Sequence, residues 1–373
     1  MKIGVVTPWY PSRQAPISGL FVHREVEAFR DEGEDVRVVH LDRSLPAGRQ
    51  SWELQDGIRV LHIGMNPADP FSVLRAVPKL RAAAKNLDVI NTHAISALPV
   101  ALIARFRQPW VHTEHWSALS SPESASLLFR AVRPFFGALL RAPDVAVAES
   151  RRLAEAIRAF RRDRPVEIVP CIVPAPPEVS PLGNPEAGDQ VLRLVSTGGV
   201  IDRKNPMLAV RTLEKLRDKG VAASLRWVGD GDQRAEAQQL ASDLGVQAEF
   251  LGSLPPEGVE RELASAHIFF APTKGENFFV AAAEALVSGR PICASDQGGH
   301  VEYALPEYSE IVEVQDAGHY ADALIRLKRK TSGTSSENIS ASVRERFSPA
   351  TIARLYRSLY TRLQEAAHLS VLT

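Results

Sequence analysis

Hydrophobic residues in the first half of the chain form short unbroken runs, and between the runs they recur every three or four positions. The runs lack polar alternation, which is typical of strands buried on both faces of a parallel sheet. They read KIGVVT, DVRVVHL, IRVLHIG, DVINTH, PWVHTEH, DVAVAES and VEIVPC. The intervening segments predict helices at about 21–33, 71–86, 99–107, 122–141 and 151–160. This half therefore predicts an α/β domain with a parallel sheet.

The second half repeats the same alternation of strands and helices. Predicted strands are LRLVSTG, SLRWVGDGD, AEFLGSL, HIFFAPT, PICASD and EIVEV, and a last helix is expected at about 348–367, after a serine-rich segment. Between the halves, residues 165–185 contain seven prolines, which interrupt helices and central strands. We therefore predict domains at 1–172 and 191–347, a proline-rich linker at 173–190, and a separate C-terminal segment at 348–373.

Composition agrees with this plan and excludes some functions. The 373 residues favour more than one core, and 45% hydrophobic with 24% charged residues is usual for a globular enzyme. The net charge of zero gives no bulk electrostatic argument for nucleic acid binding. The two cysteines have neither metal-site nor disulfide spacing, and the N-terminal apolar run is too short for a signal peptide. No apolar stretch reaches about 18 residues. We therefore expect a cytoplasmic protein.

Two carboxylates flank a predicted helix start in KGENFFVAAAEALVSGRP, residues 274–291. The stretch directly follows the predicted strand HIFFAPT. Glu276 precedes the predicted helix, and Glu284 lies inside it. With Asn277 as the predicted N-cap, the amides of residues 278–280 would face an anion such as phosphate. A helix rising about 10 Å from Asn277 to Glu284 would match the span of a sugar nucleotide. On spacing alone, an ordinary surface helix explains the same pattern.

This stretch resembles the E-x7-E motif of family 4 retaining glycosyltransferases. Glu276-Asn277-Phe278-Phe279 stands where the family commonly has Glu-Gly-Phe-Gly, and Phe279 departs from the usual small residue. The continuation Glu284-Ala285-Leu286 to Pro291 and the later Gly298-Gly299 with Glu302 also match. Further similar stretches are YPS…ISGLFVHREVEAF, PWVHTEH, VSTGGVIDRKN, RWVGDGD and FSPATIARLY. The resemblance therefore extends over nearly the whole chain.

The resemblance implies a GT-B fold, with two Rossmann-like parallel-sheet domains facing a central cleft and a C-terminal helix that crosses back to the N-terminal domain. It implies a metal-independent hexosyltransferase that moves a sugar from a nucleotide-diphosphate donor, such as a UDP-sugar, to an acceptor hydroxyl. Glu276, His115 and Lys204 are the implied catalytic residues. Implied donor contacts are Gly19, Arg203, Lys204, Phe278, Phe279, Val280, Glu284, Ser253 and Leu254.

Two patterns could suggest a metal, and we assign a metal role to neither. Asp230-Gly231-Asp232 looks like a D-x-D motif, but it follows a strand where Asp and Gly favour a turn. On a strand His112 and His115 would point to opposite faces unless the strand ends between them, which argues against a shared metal. His93 and His112 are predicted to be structural or to support the residues that contact the substrate. We expect no metal and no cofactor beyond the sugar nucleotide.

Several questions remain open at this stage. A sugar-nucleotide 2-epimerase and a non-catalytic sugar-nucleotide binding subunit are alternatives with the same fold. Helices 71–86 and 122–141 combine basic and aromatic residues, so peripheral contact with anionic lipid at the inner membrane face is an alternative to an ordinary solvated helix face. The sequence does not specify the nucleotide base, the sugar, the acceptor, the linkage or the oligomeric state.

Overall fold

The computed structural model describes residues 1–12, 15, 18–120, 127–182 and 191–372. These residues form two compact units. The first unit contains residues 1–172 and 349–373, and the second contains residues 173–348. The parts of the predicted segments 122–141 and 173–190 that fall at 122–126 and 183–190 lie outside the described residues.

The first unit is built on an eight-stranded sheet with the order β3-β4-β2-β1-β5-β6-β7-β8. All neighbours are parallel except β3 and β4, and the apolar strand residues are buried because helices cover the sheet. The strands are β1 Lys2–Thr7, β2 Asp35–Asp42, β3 Gln50–Gln55, β4 Ile58–Gly64, β5 Val89–His93, β6 Trp110–Glu114, β7 Val145–Ala148 and β8 Val166–Ile168. The helices are α1 Leu20–Asp31, α2 Pro70–Ala84, α3 Leu98–Ala104, α4 Ser117–Ser120, α5 Leu127–Leu139 and α6 Arg151–Arg161.

The second unit has a six-stranded, fully parallel sheet with the order β11-β10-β9-β12-β13-β14. Its strands are β9 Leu192–Thr197, β10 Ala223–Val228, β11 Gln247–Gly252, β12 Ile268–Ala271, β13 Ile292–Ser295 and β14 Ser309–Val312. Its helices are α7 Pro206–Asp218, α8 Arg234–Leu244, α9 Pro256–Ser265, α10 Val280–Val287, α11 Ala317–Lys330 and α12 Ser336–Ala341. The chain order reverses between β9 and β12, and ligands of such sheets bind at the carboxyl ends of the strands at that reversal.

The last helix, α13 Pro349–Leu372, belongs to the first unit. It packs on α1, where the rings of Phe29 and Tyr356 lie 5.4 Å apart, and Arg357 pairs with Glu34 at 2.7 Å. This placement agrees with the predicted return of the C-terminal helix. No helix among the described residues is long and apolar enough to span a bilayer.

Among the described residues, the sequence prediction missed the short helix α4, strand β3 and helices α11 and α12. Strand β3 reads QSWELQ and is mostly exposed at an antiparallel edge, so it lacks the buried apolar run that marks the other strands. Helix α11 carried a readable signal, because Asp316 caps it and Tyr320, Leu324 and Leu327 form its buried face. Helix α12 is one short turn in the serine-rich segment, capped by Ser335.

The first residues of the predicted linker belong to the second unit. The amide of Val173 donates to the carbonyl of Phe347 at 3.0 Å, and the amide of Leu182 donates to Ser336 Oγ at 3.1 Å. The guanidinium of Arg290 donates to the carbonyl of Ser180 at 2.8 Å. Prolines prevent regular structure here, but carbonyls that cannot pair in a helix or sheet can still accept side-chain hydrogen bonds.

Arg290 provides a test of that attachment. It is fully buried, its Nε donates to the carbonyl of Leu263 at 2.8 Å, and its Nη2 donates to Ser180 and to Ala264. Burial lowers the pKa of Arg290 to about 10. The group still carries its charge at neutral pH, and the carbonyls that accept from it stabilise that charge. We expect Arg290→Met to lower the free energy of unfolding by about 3 kcal/mol, because several buried carbonyls lose their donor.

The measurement is urea unfolding combined with limited proteolysis between residues 173 and 182. The matched control is Arg211→Met, at an exposed position on α7, which should change stability by less than about 0.5 kcal/mol. Equal stability of the two variants would show that Arg290 does not hold the segment.

Candidate functional site

Two loops meet at the reversal point of the second sheet. The loop after β9 carries Arg203 and Lys204 on a single turn of 3-10 helix, and the loop after β12 carries Glu276. The carbonyl of Arg203 joins the loops, because it accepts from the amide of Lys274 at 2.7 Å and from Thr273 Oγ1 at 3.0 Å. Of the predicted site residues, Arg203, Lys204 and Glu276 are therefore brought together within the second unit.

Glu276 forms an ion cluster with both cations. Its Oε1 lies 2.7 Å from Lys204 Nζ and 2.8 Å from Arg203 Nη1, and it accepts from Thr273 Oγ1 at 3.1 Å. The side chains of Lys204 and Glu276 are only 11% and 10% exposed, whereas that of Arg203 is 32% exposed. The cluster has two positive groups and one negative group, so it is suited to binding an anion.

Burial and charge oppose each other in this cluster. Burial by itself raises the pKa of Glu276, but Lys204 and Arg203 outweigh it and hold the pKa of that carboxyl below its usual value. Burial lowers the pKa of Lys204, and the charge of Glu276 offsets part of this effect. Glu276 is therefore ionised at neutral pH.

A glycine makes room for the buried lysine. Gly198 has a φ of 123°, and a Cβ there would lie 3.1 Å from Cε and 3.2 Å from Nζ of Lys204. A side chain at this position would need both a disfavoured backbone conformation and displacement of Lys204. The first glycine of the Gly198-Gly199 pair thus allows the lysine to reach Glu276.

The start of α10 differs from the prediction. Asn277 is not the N-cap: the helix begins at Val280, and Phe279 caps it in a left-handed conformation with a φ of 69°. Phe278 and Phe279 therefore precede the helix, and the amides of its first turn begin at Val280. The helical rise from Val280 to Glu284 is about 6 Å instead of the 10 Å expected from Asn277.

Contacts on both sides hold Phe279 in this uncommon conformation. Tyr303 Oη donates to the carbonyls of Phe278 and Phe279, at 3.1 and 2.7 Å. The Phe279 ring lies under Lys204 Nζ, 4.5 Å from the ring centroid, and 5.1 Å from the ring of His300. Burial lowers the pKa of His300 to about 4, so this histidine is neutral.

The remaining predicted donor contacts lie at the ends of nearby elements. Glu284 is half-buried on α10, and Ser253 and Leu254 directly follow β11. Gly298 lies close beside Glu276, because a Cβ there would be 2.8 Å from Glu276 Cβ. The Gly-Gly sequence after β13 thus lies directly against the Glu276 loop.

Asp230 and Asp232 lie in the turn after β10. Asp230 Oδ1 accepts from the amide of Gly231 at 2.8 Å, and Asp230 Oδ2 pairs with Arg234 Nη1 at 3.3 Å. These contacts are those of a turn followed by a helix start.

His115 lies in the first unit, just after β6, in a buried cluster of titratable groups. Its Nδ1 is 2.5 Å from Glu149 Oε1, and its Nε2 is 3.1 Å from His93 Nδ1. Burial opposes its charge, but Glu149, Glu25 and Glu114 together raise the pKa of His115 above its usual value. His115 is therefore a candidate imidazolium.

Glu25 is a member of this cluster that sequence reasoning missed. It lies on the buried face of α1, and burial raises its pKa to about 8. Its Oε2 lies 3.8 Å from His93 Nε2. A glutamate among the apolar positions of a helix, at Glu25 between Val22 and Val26, was the available signal. By contrast, His112 contacts Thr92 and Glu114 inside the sheet, as expected for a structural role.

Gly19 is required by a close backbone approach. It precedes α1 with a φ of 69°, and a Cβ there would lie 2.2 Å from the carbonyl oxygen of Trp9. Any side chain would push the loop after β1 away from the helix start. This contact explains the glycine without a ligand, so its predicted diphosphate contact stays a prediction.

A pocket of about 620 Å³ opens in the first unit, at the carboxyl ends of the strands of its sheet. Its walls come from loops after several strands, and Arg43 is the one charged residue among the described residues that line it. The aromatic residues Trp9, Trp116 and Phe136 also line the pocket. Pockets of this size with apolar walls and few polar groups are typical of small-molecule sites.

Comparison with known families decides the class of the protein. Residues 18–171 match the family model described as a glycosyl transferase 4-like domain, and residues 192–330 match that of glycosyl transferases group 1. The two matches cover most of both units. The chain belongs to the family 4 type of GT-B glycosyltransferases. The predicted family, the two-sheet fold and the enzyme class are therefore confirmed.

Solved glycosyltransferase structures show the same fold. Sucrose-phosphate synthase from Thermosynechococcus elongatus is similar with a TM-score of 0.74 and 21% identity, over 98% of this chain and 99% of that one. Anabaena HepE in complex with UDP and glucose is similar with a TM-score of 0.71 and 18% identity, over 97% of this chain and 100% of that one.

Two curated glycosyltransferases are similar in sequence. The phosphatidyl-myo-inositol mannosyltransferase of Mycobacterium leprae is 28% identical over 348 residues, which is 88% of each chain. The 2-deoxystreptamine glucosyltransferase of Streptomyces kanamyceticus is 28% identical over 262 residues, 64% of this glycosyltransferase and 66% of the relative.

Coupling within the ion cluster can be measured by a double-mutant cycle of Glu276→Gln and Lys204→Met. Glu276→Gln leaves the buried Lys204 without its carboxylate, so we expect it to destabilise the protein by about 3 kcal/mol. Lys204→Met leaves Glu276 paired with Arg203, so its effect should be smaller, about 1–2 kcal/mol. The double variant should recover about 1–3 kcal/mol relative to the sum of the two. The measurement is urea unfolding at neutral pH.

The matched control pairs Glu276→Gln with Lys274→Met, because Lys274 Nζ contacts Asp202 at 2.5 Å instead of Glu276. The effects of those two changes on the free energy of unfolding should be additive within about 0.5 kcal/mol. Additive behaviour in the Lys204 cycle as well would contradict the ion pair.

Proposed function

We propose that this glycosyltransferase moves a sugar from a nucleotide-diphosphate donor to an acceptor hydroxyl with retention of anomeric configuration. The observation that carries the proposal is the buried cluster of Lys204, Arg203 and Glu276. It stands at the reversal point of the second sheet, in the same loop system as the start of α10. Parallel sheets bind nucleotides at this point.

The charges of the cluster suit a diphosphate leaving group. As the bond between the sugar and the phosphate breaks, negative charge grows on the phosphate oxygen, and fixed cations stabilise it. Arg203 is exposed enough to contact the ligand, and the more buried Lys204 adds a second positive charge behind Arg203. The first-turn amides of α10 add donors and a positive dipole end, since α10 has no acidic residue in its first turn.

The proposed reaction exchanges one bond for another at the anomeric carbon. The acceptor oxygen forms a bond to that carbon, the bond from the carbon to the phosphate oxygen breaks, and the acceptor proton passes to the leaving phosphate. No protein nucleophile is needed on this route. The contacts of Glu276 agree with a role other than nucleophile, because its Oε1 already accepts from Lys204, Arg203 and Thr273. We assign its other oxygen to a sugar hydroxyl.

The donor we propose is a UDP-sugar. A structural neighbour, Anabaena HepE, was solved with UDP-glucose. In this proposal Glu284 holds the ribose hydroxyls, and the backbone around Ser253 and Leu254 lies on the nucleotide side. The chemistry requires no divalent ion, since Lys204 and Arg203 supply the positive charge, and Asp230 and Asp232 have a role in the turn.

The acceptor we propose is a ring-bearing alcohol bound in the first unit. The pocket with Trp9, Trp116 and Arg43 offers flat apolar walls and one cation. The names of two relatives specify cyclic polyol acceptors, 2-deoxystreptamine and phosphatidyl-myo-inositol. His115, as an imidazolium held by Glu149, is assigned to the sugar-transfer step on this unit.

The alternatives with the same fold are not favoured. The similar curated proteins named above are transferases. A binding subunit would not need the buried cation pair at Glu276. Product analysis by proton NMR separates the cases, because an epimerase would release an altered sugar without an acceptor.

Turnover of UDP-sugars tests the proposal. In a panel of UDP-, GDP-, ADP- and dTDP-sugars, we expect a UDP-sugar to give the largest rise in melting temperature and to be hydrolysed or transferred without added divalent ion. A response to GDP-, ADP- or dTDP-sugars alone would contradict the proposed donor. Lys204→Met should lower kcat by about 10²–10³-fold, since it removes charge stabilisation of the leaving group.

Lys274→Met is the matched control, because this exposed lysine is one residue from the Thr273 contact but pairs with Asp202. It should keep kcat within about threefold of the parent, a change of less than 1 kcal/mol in the barrier. Binding without any turnover in the parent would support a binding subunit, and unchanged kcat in Lys204→Met would remove the proposed chemistry.

We also propose that α2 contacts anionic membranes. Its exposed face combines Phe71 and Leu74, which are 74% and 54% exposed, with Arg75 and Lys85. A helix face with exposed large apolar and basic side chains is suited to the membrane interface. The acceptor named for the mycobacterial relative is a phospholipid, which agrees with such a contact.

Sedimentation with vesicles tests this contact. The parent should sediment with vesicles that contain anionic lipid at low salt and not with neutral vesicles, because charge and apolar burial both contribute. Phe71→Ser with Leu74→Ser should lower the bound fraction at least about threefold, by the loss of two buried apolar side chains. The control is Leu355→Ser on α13, which is 43% exposed. Failure of the parent to sediment at low salt would contradict the proposal.

A further inference from the structure

A cluster of metal-ligand side chains lies in the first unit, on two neighbouring parallel strands. His40 of β2 and His62 of β4 are direct partners in the strand register, so their side chains face each other. Asp42 is two residues after His40 and therefore projects from the same face of the sheet. Both histidines are buried, and Asp42 is half-buried.

The three side chains already approach the geometry of a coordination site. The Nδ1 atoms of His40 and His62 lie 3.1 Å apart, and Asp42 Oδ2 lies 3.5 Å from His62 Nδ1. The three ligand atoms fall within 4.8 Å of one another. In a tetrahedral zinc site, bonds of about 2.0–2.1 Å separate the ligand atoms by about 3.3 Å.

The outer atoms of these side chains have partners that would orient them toward a metal. Asp42 Oδ1 accepts from the amide and the hydroxyl of Ser44, at 2.8 and 2.7 Å, which leaves Oδ2 facing His62. His62 Nε2 lies 3.3 Å from the carboxylate of Glu53, although it is buried and makes no hydrogen bond in this geometry. Metal-bound histidines usually direct their second nitrogen to such an acceptor.

His40 has an equivalent outer partner. The carbonyl of Pro8 lies near its ring and favours the protonated form, which raises the pKa of His40 against the effect of burial, while Nδ1 faces His62. When both Nε2 atoms carry their protons, both Nδ1 atoms present lone pairs to each other. Two lone pairs and a carboxylate repel one another unless a proton on one Nδ1 or a metal cation lies between them.

We infer that His40, Asp42 and His62 bind one zinc ion. Two imidazoles and one carboxylate are the donor set that zinc accepts, whereas Mg²⁺ prefers oxygen ligands throughout. The three protein ligands leave a fourth position for water. The site belongs to the first unit, whereas the proposed diphosphate cations Lys204 and Arg203 belong to the second, so the zinc has no part in the proposed diphosphate chemistry.

The zinc ion would hold one edge of the first sheet in place. It would join the carboxyl ends of β2 and β4 and, through Pro8, the loop after β1. Pro8 and Arg43, the residue after Asp42, both line the pocket assigned above to the acceptor. The metal therefore has a structural role, in fixing the walls of that pocket.

Metal analysis of the full chain, expressed without a histidine tag, tests the inference. After chelation and dialysis, the protein should bind one equivalent of Co²⁺ with the strong visible absorption of a tetrahedral site, and one equivalent of Zn²⁺ should abolish that absorption. Zn²⁺ should also raise the melting temperature of the stripped protein by about 5 °C or more.

Variants assign the ligands. His62→Gln and Asp42→Asn should each lower Co²⁺ affinity at least about tenfold, since each removes a ligand atom. His368→Gln, at an exposed histidine on α13, should leave binding unchanged. If His62→Gln fails to fold, Asp42→Asn and the metal-induced shift of the parent still decide. Absence of a stoichiometric tetrahedral Co²⁺ spectrum, or an equal loss in His368→Gln, would overturn the proposal.

Discussion

The candidate site depends on one buried ion pair, Lys204 with Glu276. An ammonium this buried is costly without a counter-charge, and its neighbours limit that cost. Gly198 leaves space for it, and the ring of Phe279 lies under its Nζ. Removal of one partner therefore affects more than a hydrogen bond, because it leaves a desolvated charge. A dianionic ligand would supply the cations with a second partner, so ligand affinity and stability of the second unit are coupled through the same atoms.

The backbone at Phe279 shows how the loop adapts to this pair. A non-glycine residue at a φ of 69° costs about 1 kcal/mol, and the resemblance places a glycine at this position. The ring offsets that cost by packing against Lys204, His300 and Phe269. Glycine here would relieve the backbone but leave Lys204 without an aromatic face. The phenylalanine therefore replaces backbone freedom with side-chain packing next to the start of α10.

The sequence was sufficient where burial alone determines structure. Runs such as KIGVVT and HIFFAPT predicted parallel strands because both faces of each are covered, and the family resemblance placed Lys204 and Glu276 in one site. It was insufficient where tertiary contacts decide. The edge strand β3 is exposed and polar, so it has no pattern to read. Asn277 has N-cap propensity, yet Tyr303 holds Phe279 as the cap through two hydrogen bonds that join residues distant in sequence. Glu25 and its raised pKa follow from helix packing, which propensity does not describe.

The charged groups around His115 constrain what this residue can do. Glu149 accepts from its Nδ1, and His93 lies at hydrogen-bond distance from its Nε2, so an imidazolium has both protons engaged inside the first unit. Glu25, with a pKa near 8, is mostly protonated at neutral pH and does not add a full negative charge. The positive His115 ring is then held against the carboxylates of Glu149 and Glu114. A substrate hydroxyl could bind His115 only by displacing His93, which makes His115 more suitable as a fixed charge than as a proton donor during transfer.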